Sequence, residues 1–249
     1  MVAAVSPRTG CASCACGYST ETWLLFWYSE RVSKSFLDLV KRGDTQEIAD
    51  WVKDDPQIAE SRDAKGVSAL LWAVYTGQTV VRDFLRSGLE LDLAEAAAVG
   101  DPARLRELLG MDAATAKERA NSRSADGWPL LHLAAAFAGC ETVRLLLDAG
   151  ADVGQISETP MRNQALHAVL ALSKDTKTTR LLLERGADVN AVQAAGYRPL
   201  HQAAAAGHED LVRLLLDAGA DKTAQCDRGK TPAEYARERE HAAVAELLD

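Results

Sequence analysis

The stretch from Gly196 to Asp221, GYRPLHQAAAAGHEDLVRLLLDAGAD, is written again along most of the chain with varying fidelity. A sequence that repeats itself in this way folds as a stack of units rather than around one central core. Within the stretch, apolar residues form two clusters at helical spacing, Leu200/Ala203/Ala204 and then Leu211/Val212/Leu214/Leu215/Leu216. Gly207 and His208 lie between them and suit a tight turn, so each unit reads helix, turn, helix, loop. Helices this short are marginal alone, and a neighbouring pair has to supply the second wall of each core. The 249 residues therefore count repeats, not cores.

The order Pro199, Leu200, His201, one spacer and Ala203 resembles the ankyrin repeat, whose signature is T-P-L-H-x-A at a period of about 33 residues, with Arg198 here in the threonine place. The resemblance implies an all-α fold, an ankyrin-type solenoid of helix-turn-helix repeats joined by hairpin-like loops, or fingers. Seven repeats are expected, at about 36–56, 66–88, 91–110, 126–152, 159–188, 196–221 and 229–249. The inter-helix glycine is a ruler along the chain, because a residue with positive φ is favoured where the first helix stops. It or its equivalent falls at Gly43, Gly77, Gly100, Ala138, Ser173, Gly207 and Glu240.

Gly77 to Gly100 is only 23 residues, so the third repeat is expected to lack its finger and to leave a gap, with a bend between the two halves of the stack. Gly100 to Ala138 is 38 residues, which places extra chain around Met111 to Asn121. His167 to Gly186 is 19 residues where the fourth and sixth repeats have 18, which marks one added residue near Ser173 to Lys177. Leucine triplets at 145–147, 181–183 and 214–216 recur where a repeat would face its neighbour, and Gly-Ala-Asp runs at 150–152, 186–188 and 219–221 end the second helices.

Residues 1–35 carry no repeat pattern and are expected to form an irregular, poorly ordered leader. Cys11, Cys14 and Cys16 have spacing at which thiolates can converge on zinc or a redox centre, but a fourth ligand is missing, and the metal or redox protein is the lesser alternative. Met1 to Gly17 lacks the apolar core of a secretory signal, and the apolar run Trp23–Tyr28 is far shorter than a membrane span. Cys140 and Cys226 are isolated and the total of five is odd, which fits a reducing, cytoplasmic setting better than a disulfide framework. The formal charge of −8 has acids and bases interleaved, so neither nucleic acid nor an anionic membrane is an expected partner. The chain is expected to be a monomer.

No catalytic residue, metal ligand or cofactor is assigned. His132, His167 and His201 all take the fourth place of the T-P-L-H motif, and His208 and His241 both follow the inter-helix position. The resemblance implies that the first three tie neighbouring loops together through both ring nitrogens. No G-x-S-x-G elbow, Walker loop or dinucleotide glycine fingerprint is present. Acid pairs such as Asp54-Asp55 and Glu209-Asp210 suit helix N-termini, and Arg104, Arg144, Arg180 and Arg213 read as a solvated ladder. The resemblance implies a protein-binding scaffold or adaptor, with an inhibitor that covers an enzyme's active site as the alternative. The resemblance implies a protein partner held by finger tips and the inner ends of the first helices. Those positions are Lys65, Val67, Tyr75, Thr76, Asp126, Trp128, Phe137, Ala195, Tyr197, Arg228 and Lys230. Tyr75, Trp128, Phe137 and Tyr197 stand out, because aromatics are enriched among interface hot spots.

Overall fold

The structure is a computed structural model and describes residues 32–249. It is all-α: seven helix pairs follow one another, with one extra helix between the third and fourth. The pairs are α1 (32–42) with α2 (Thr45–Asp54), α3 (Ala69–Tyr75) with α4 (Thr79–Arg86), and α5 (Leu93–Val99) with α6 (Pro102–Leu109). The extra helix is α7 (Ala113–Ala120). Then come α8 (Leu130–Leu133) with α9 (Cys140–Asp148), α10 (Ala165–Ala171) with α11 (Thr176–Glu184), α12 (Pro199–Ala206) with α13 (Glu209–Asp217), and α14 (Pro232–Glu238) with α15 (Ala242–Leu248). Helix α1 is already formed at residue 32, and Val32 packs on the core. Cys11, Cys14, Cys16 and the run Trp23–Tyr28 lie outside the described residues.

Local sequence starts these helices where the side chains can cap them. Asp44, Ser68, Asp101, Asp112 and Asp175 each accept a backbone N–H of the first turn, and Asp92/Glu95 and Thr231/Glu234 form reciprocal capping boxes. Packing then makes the short helices stable. First helices line up as one layer, α3, α5, α8, α10, α12 and α14, and second helices as another, with α6, α9, α11, α13 and α15 in succession. Of each leucine triplet only the middle member is wholly enclosed: Leu146, Leu182 and Leu215 have no exposed surface, while Leu147, Leu183 and Leu216 are half-buried.

Two positions on the glycine ruler shift by one residue. Gly43, Gly77, Gly100 and Gly207 take the left-handed conformation, and so does Glu240, but Ala138 and Ser173 do not. A Cβ disfavours that conformation, so the first helix of the fourth repeat widens into a π-turn over Ala134–Ala138, and Gly139 takes a φ of +92° instead. In the fifth repeat Lys174 has a φ of +56° and α11 starts at Thr176 behind it, which is the added residue expected there.

The missing third finger leaves no gap on its own side of the stack. A Cβ built on Gly66 in the second finger would meet Ala125 Cβ of the fourth finger at 3.0 Å, so the two tips touch. The Tyr75 hydroxyl donates to Asp126 Oδ1 at 3.3 Å across the same junction, and the Tyr75 and Phe137 rings lie 5.7 Å apart. The second-helix layer behaves differently, for α4 and α6 pack less closely than other neighbours in that layer. An Arg86–Asp101 ion pair at 3.0 Å spans them, and Arg62 pairs with Asp92 at 3.0 Å and Glu95 at 3.5 Å.

The extra chain near Met111 is helix α7, held against α6 and ended by Asn121. Asn121 accepts from Asp152 N at 2.8 Å and donates to Gly150 O at 2.9 Å, and Asn190 repeats both bonds one repeat pair later, with Asp221 N at 2.9 Å and Gly219 O at 3.1 Å. Each asparagine thus fastens a Gly-Ala-Asp loop to the preceding unit.

Candidate interaction surface

Four fingers form a continuous edge. Glu158 N donates to Gly127 O at 3.0 Å, Ala194 N to Met161 O at 2.9 Å, and Asp227 N to Ala195 O at 3.1 Å. Each bond joins one hairpin tip to the next. Below the edge, three histidines stitch repeats together: His132 Nε2 donates to Asn163 O at 2.8 Å, His167 Nε2 to Ala191 O at 3.2 Å, and His201 Nε2 to Lys230 O at 3.1 Å. His167 Nδ1 and His201 Nδ1 accept the N–H groups of Gln164 and Arg198 at 3.3 Å and 3.2 Å. The chain belongs to the ankyrin repeat family: the description "Ankyrin repeats (3 copies)" matches residues 93–193 and 166–249. It is also 31% identical over 173 residues to the Tyrosine-protein kinase HTK16 of Hydra vulgaris, an alignment covering 66% of this chain and 21% of that protein. The chain therefore spans about a fifth of that relative's length.

His132 departs from the two-nitrogen scheme, since its Nδ1 is buried and has no hydrogen-bond partner. The reason is local. Three residues before this histidine stands Pro129, which has no N–H to give, where the other two repeats place Gln164 and Arg198. Pro129→Thr is therefore expected to stabilise the protein by about 1 kcal/mol, since a restored donor and a threonine N-cap outweigh the lost rigidity of proline. Thermal denaturation checks this, and a lowered midpoint would count against it. Burial pushes His132 and His167 down to about 4, and also lowers His201 and His208. The His241 ring lies against Gly207. These side chains are committed to the scaffold.

The positions expected to meet a partner separate into three groups. Val67 is 1% exposed and belongs to the core, so it has no face to present. The aromatics are half-buried and already occupied: Trp128 packs on the core and over His132, while Tyr197 lies 5.2 Å from Tyr235 and 5.7 Å from His201. Burial pushes the Tyr75 phenol up, and its partner Asp126 also accepts Ser124 Oγ at 2.6 Å. Phe137 packs against the core from the π-turn, and the Thr76 hydroxyl donates to Trp72 O at 2.7 Å. Lys230 reaches Glu238 and lies 5.7 Å over the Tyr235 ring. Lys65, Ala195 and Arg228 stay exposed at finger tips. Lys65 also borders a cleft of about 670 Å³ between α1 and the second finger, where Lys41 stacks on Trp72 at 4.0 Å.

The fifth finger was hidden from glycine-based reasoning because it has no glycine at its tip. Counting back five residues from the histidine gives Gly127 and Gly196 in two repeats but Arg162 in this one. Its hairpin closes through Ser157 N and Asn163 O at 2.9 Å, six residues apart, where the other fingers close over four, as in Gln193 N to Tyr197 O. Arg162 is exposed and holds a φ of +48°. Ile156, Met161 and Val192 are 39%, 51% and 58% exposed, and Ile156 and Val192 occupy the same register on neighbouring fingers. Counting from the histidine instead of the glycine would have found Met161 and Arg162.

Left-handed backbone costs a residue with a Cβ about 1–2 kcal/mol, and glycine gives back part of that through its freer unfolded chain. Arg162→Gly is accordingly expected to stabilise the protein by about 0.5–1 kcal/mol, read as a higher urea midpoint at unchanged slope. A lower midpoint would mean the arginine side chain supports the fold.

Proposed function

We propose that this chain is a non-catalytic binding module that holds a protein partner along its finger edge. The observation that carries this reading is the exposed trio Ile156, Met161 and Val192 on two fingers joined by the Met161 O to Ala194 N bond. Aliphatic side chains grouped on a fixed backbone edge offer area to a partner and nothing to the repeat core. The histidines support the non-catalytic part, because three of them donate to backbone carbonyls and sit away from solvent. Free thiols at Cys140 and Cys226 are consistent with a reducing, cytoplasmic setting. No helix among the described residues is long and apolar enough to cross a membrane.

The test is affinity capture with the wild type and with a Met161→Asp/Val192→Asp double variant, after far-UV circular dichroism shows equal helix content. Proteins recovered with the wild type and lost with the variant are the expected result. Identical recovery by both would remove the finger edge as the binding surface.

A further inference from the structure

Resting on the reading of the finger edge as a protein-binding surface, we infer that the fifth and sixth fingers take an extended, largely aliphatic peptide segment that presents a carboxylate to Arg162. The charged residues nearest the fifth finger, Glu158, Arg123 and Arg198, are already matched. Glu158 pairs with Arg123 at 3.3 Å, Arg123 also donates to Ile156 O at 2.8 Å, and Arg198 pairs with Asp221 at 3.6 Å. Arg162 forms no ion pair or hydrogen bond through its side chain among the described residues, although the whole chain carries a formal charge of −8. A free cation next to Met161, on a finger edge that also exposes Ile156 and Val192, is matched by an acid flanked by apolar side chains.

The hairpin itself reinforces the assignment. Its polar groups are satisfied internally, since Ser157 Oγ donates to Asn163 Oδ1 at 2.6 Å and lies 2.9 Å from Thr159 Oγ1, so the tip has little polar demand to meet elsewhere. Arginine stands there in a backbone conformation that glycine adopts at the tips of the second, fourth, sixth and seventh fingers. Among the described residues its side chain gives the fold no ion pair or hydrogen bond in return. Strain of this kind is found clustered at ligand clamps and other functional sites.

The experiment pans a library of random 12-residue peptides displayed on phage against the full chain, then measures the enriched peptides on three proteins: wild type, Arg162→Gly and Met161→Asp. The glycine variant suits the hairpin conformation, so a loss of binding there reports the arginine side chain, and its salt dependence reports the charge. The expected result is enrichment of peptides carrying Asp or Glu among aliphatic residues, bound at least tenfold more weakly by either variant and more weakly at high salt. Enriched peptides without an acid, weakened by Met161→Asp but not by Arg162→Gly, would overturn the carboxylate and leave the binding edge standing. Peptides indifferent to both variants, or no enrichment, would overturn both. Self-association of the wild type in sedimentation, abolished by Met161→Asp, would assign the edge to a second copy of the chain and overturn the peptide.

Discussion

Leu215→Ala is expected to lower the stability by about 2–5 kcal/mol, because the leucine is wholly enclosed and truncation adds a cavity to the lost burial. The loss should be uneven along the molecule. Helix α13 touches α11 on one side and α15 on the other, so a wound there weakens two interfaces of a stack in which each repeat leans only on its neighbours. Hydrogen exchange should show the amides of α14 and α15 losing protection before those of α3 to α6. Uniform loss across all helices, or an unchanged denaturation midpoint, would contradict a stack held by local interfaces.

Acid should begin to destabilise the protein above the carboxylate range. His132 and His167 are held near 4 by burial, against an unfolded value of 6.5. Between those values the unfolded chain binds protons that the folded chain refuses, so stability is complete above about pH 6.5 and drains away as pH falls toward 4. Each histidine then costs about 1.4 kcal/mol per pH unit, or about 2 kcal/mol by pH 5, and the pair about 4 kcal/mol. Urea midpoints measured from pH 7.5 to 4.5 read this directly. His132→Gln removes one of the two titrations and should flatten the slope by about half, whereas a flat wild-type profile would mean that neither ring is buried neutral. The depressed carboxyl groups of Asp63, Asp101 and Asp175 act lower still, adding their loss only below their ordinary range.

Much of the scaffold was legible because it is local. The triplet Leu214-Leu215-Leu216, the His201 place and the Gly-Ala-Asp runs each announce themselves within ten residues, through helical period and turn chemistry. The extra chain before the fourth repeat was visible as length, though its helix α7 was not, since eight residues of Ala, Thr, Lys, Glu and Arg carry no strong apolar period. Contacts between distant residues were not legible. Nothing near Tyr75 in sequence says that its hydroxyl will reach Asp126 past a repeat without a finger, and so the expected gap proved closed.

The exposed edge was less legible than the scaffold, and for a definite reason. Aromatics at Trp128 and Tyr197 drew attention by type, yet their size is what lets them fill the space between fingers, so the fold had already used them. The exposed aliphatics of the fifth finger escaped because the ruler was glycine and Arg162 replaced it.

The bonds Gly127 O to Glu158 N, Met161 O to Ala194 N and Ala195 O to Asp227 N also bear on the thermodynamics of association. Loops that must order themselves on binding forfeit conformational entropy at that moment, and their complexes form at the expense of affinity. Here that entropy is lost when the chain folds, because each hairpin is pinned to the next before any partner arrives. Any segment laid along this edge would meet a surface that behaves more like a sheet than like a set of loops, and the ordering cost of the encounter would fall on the segment alone.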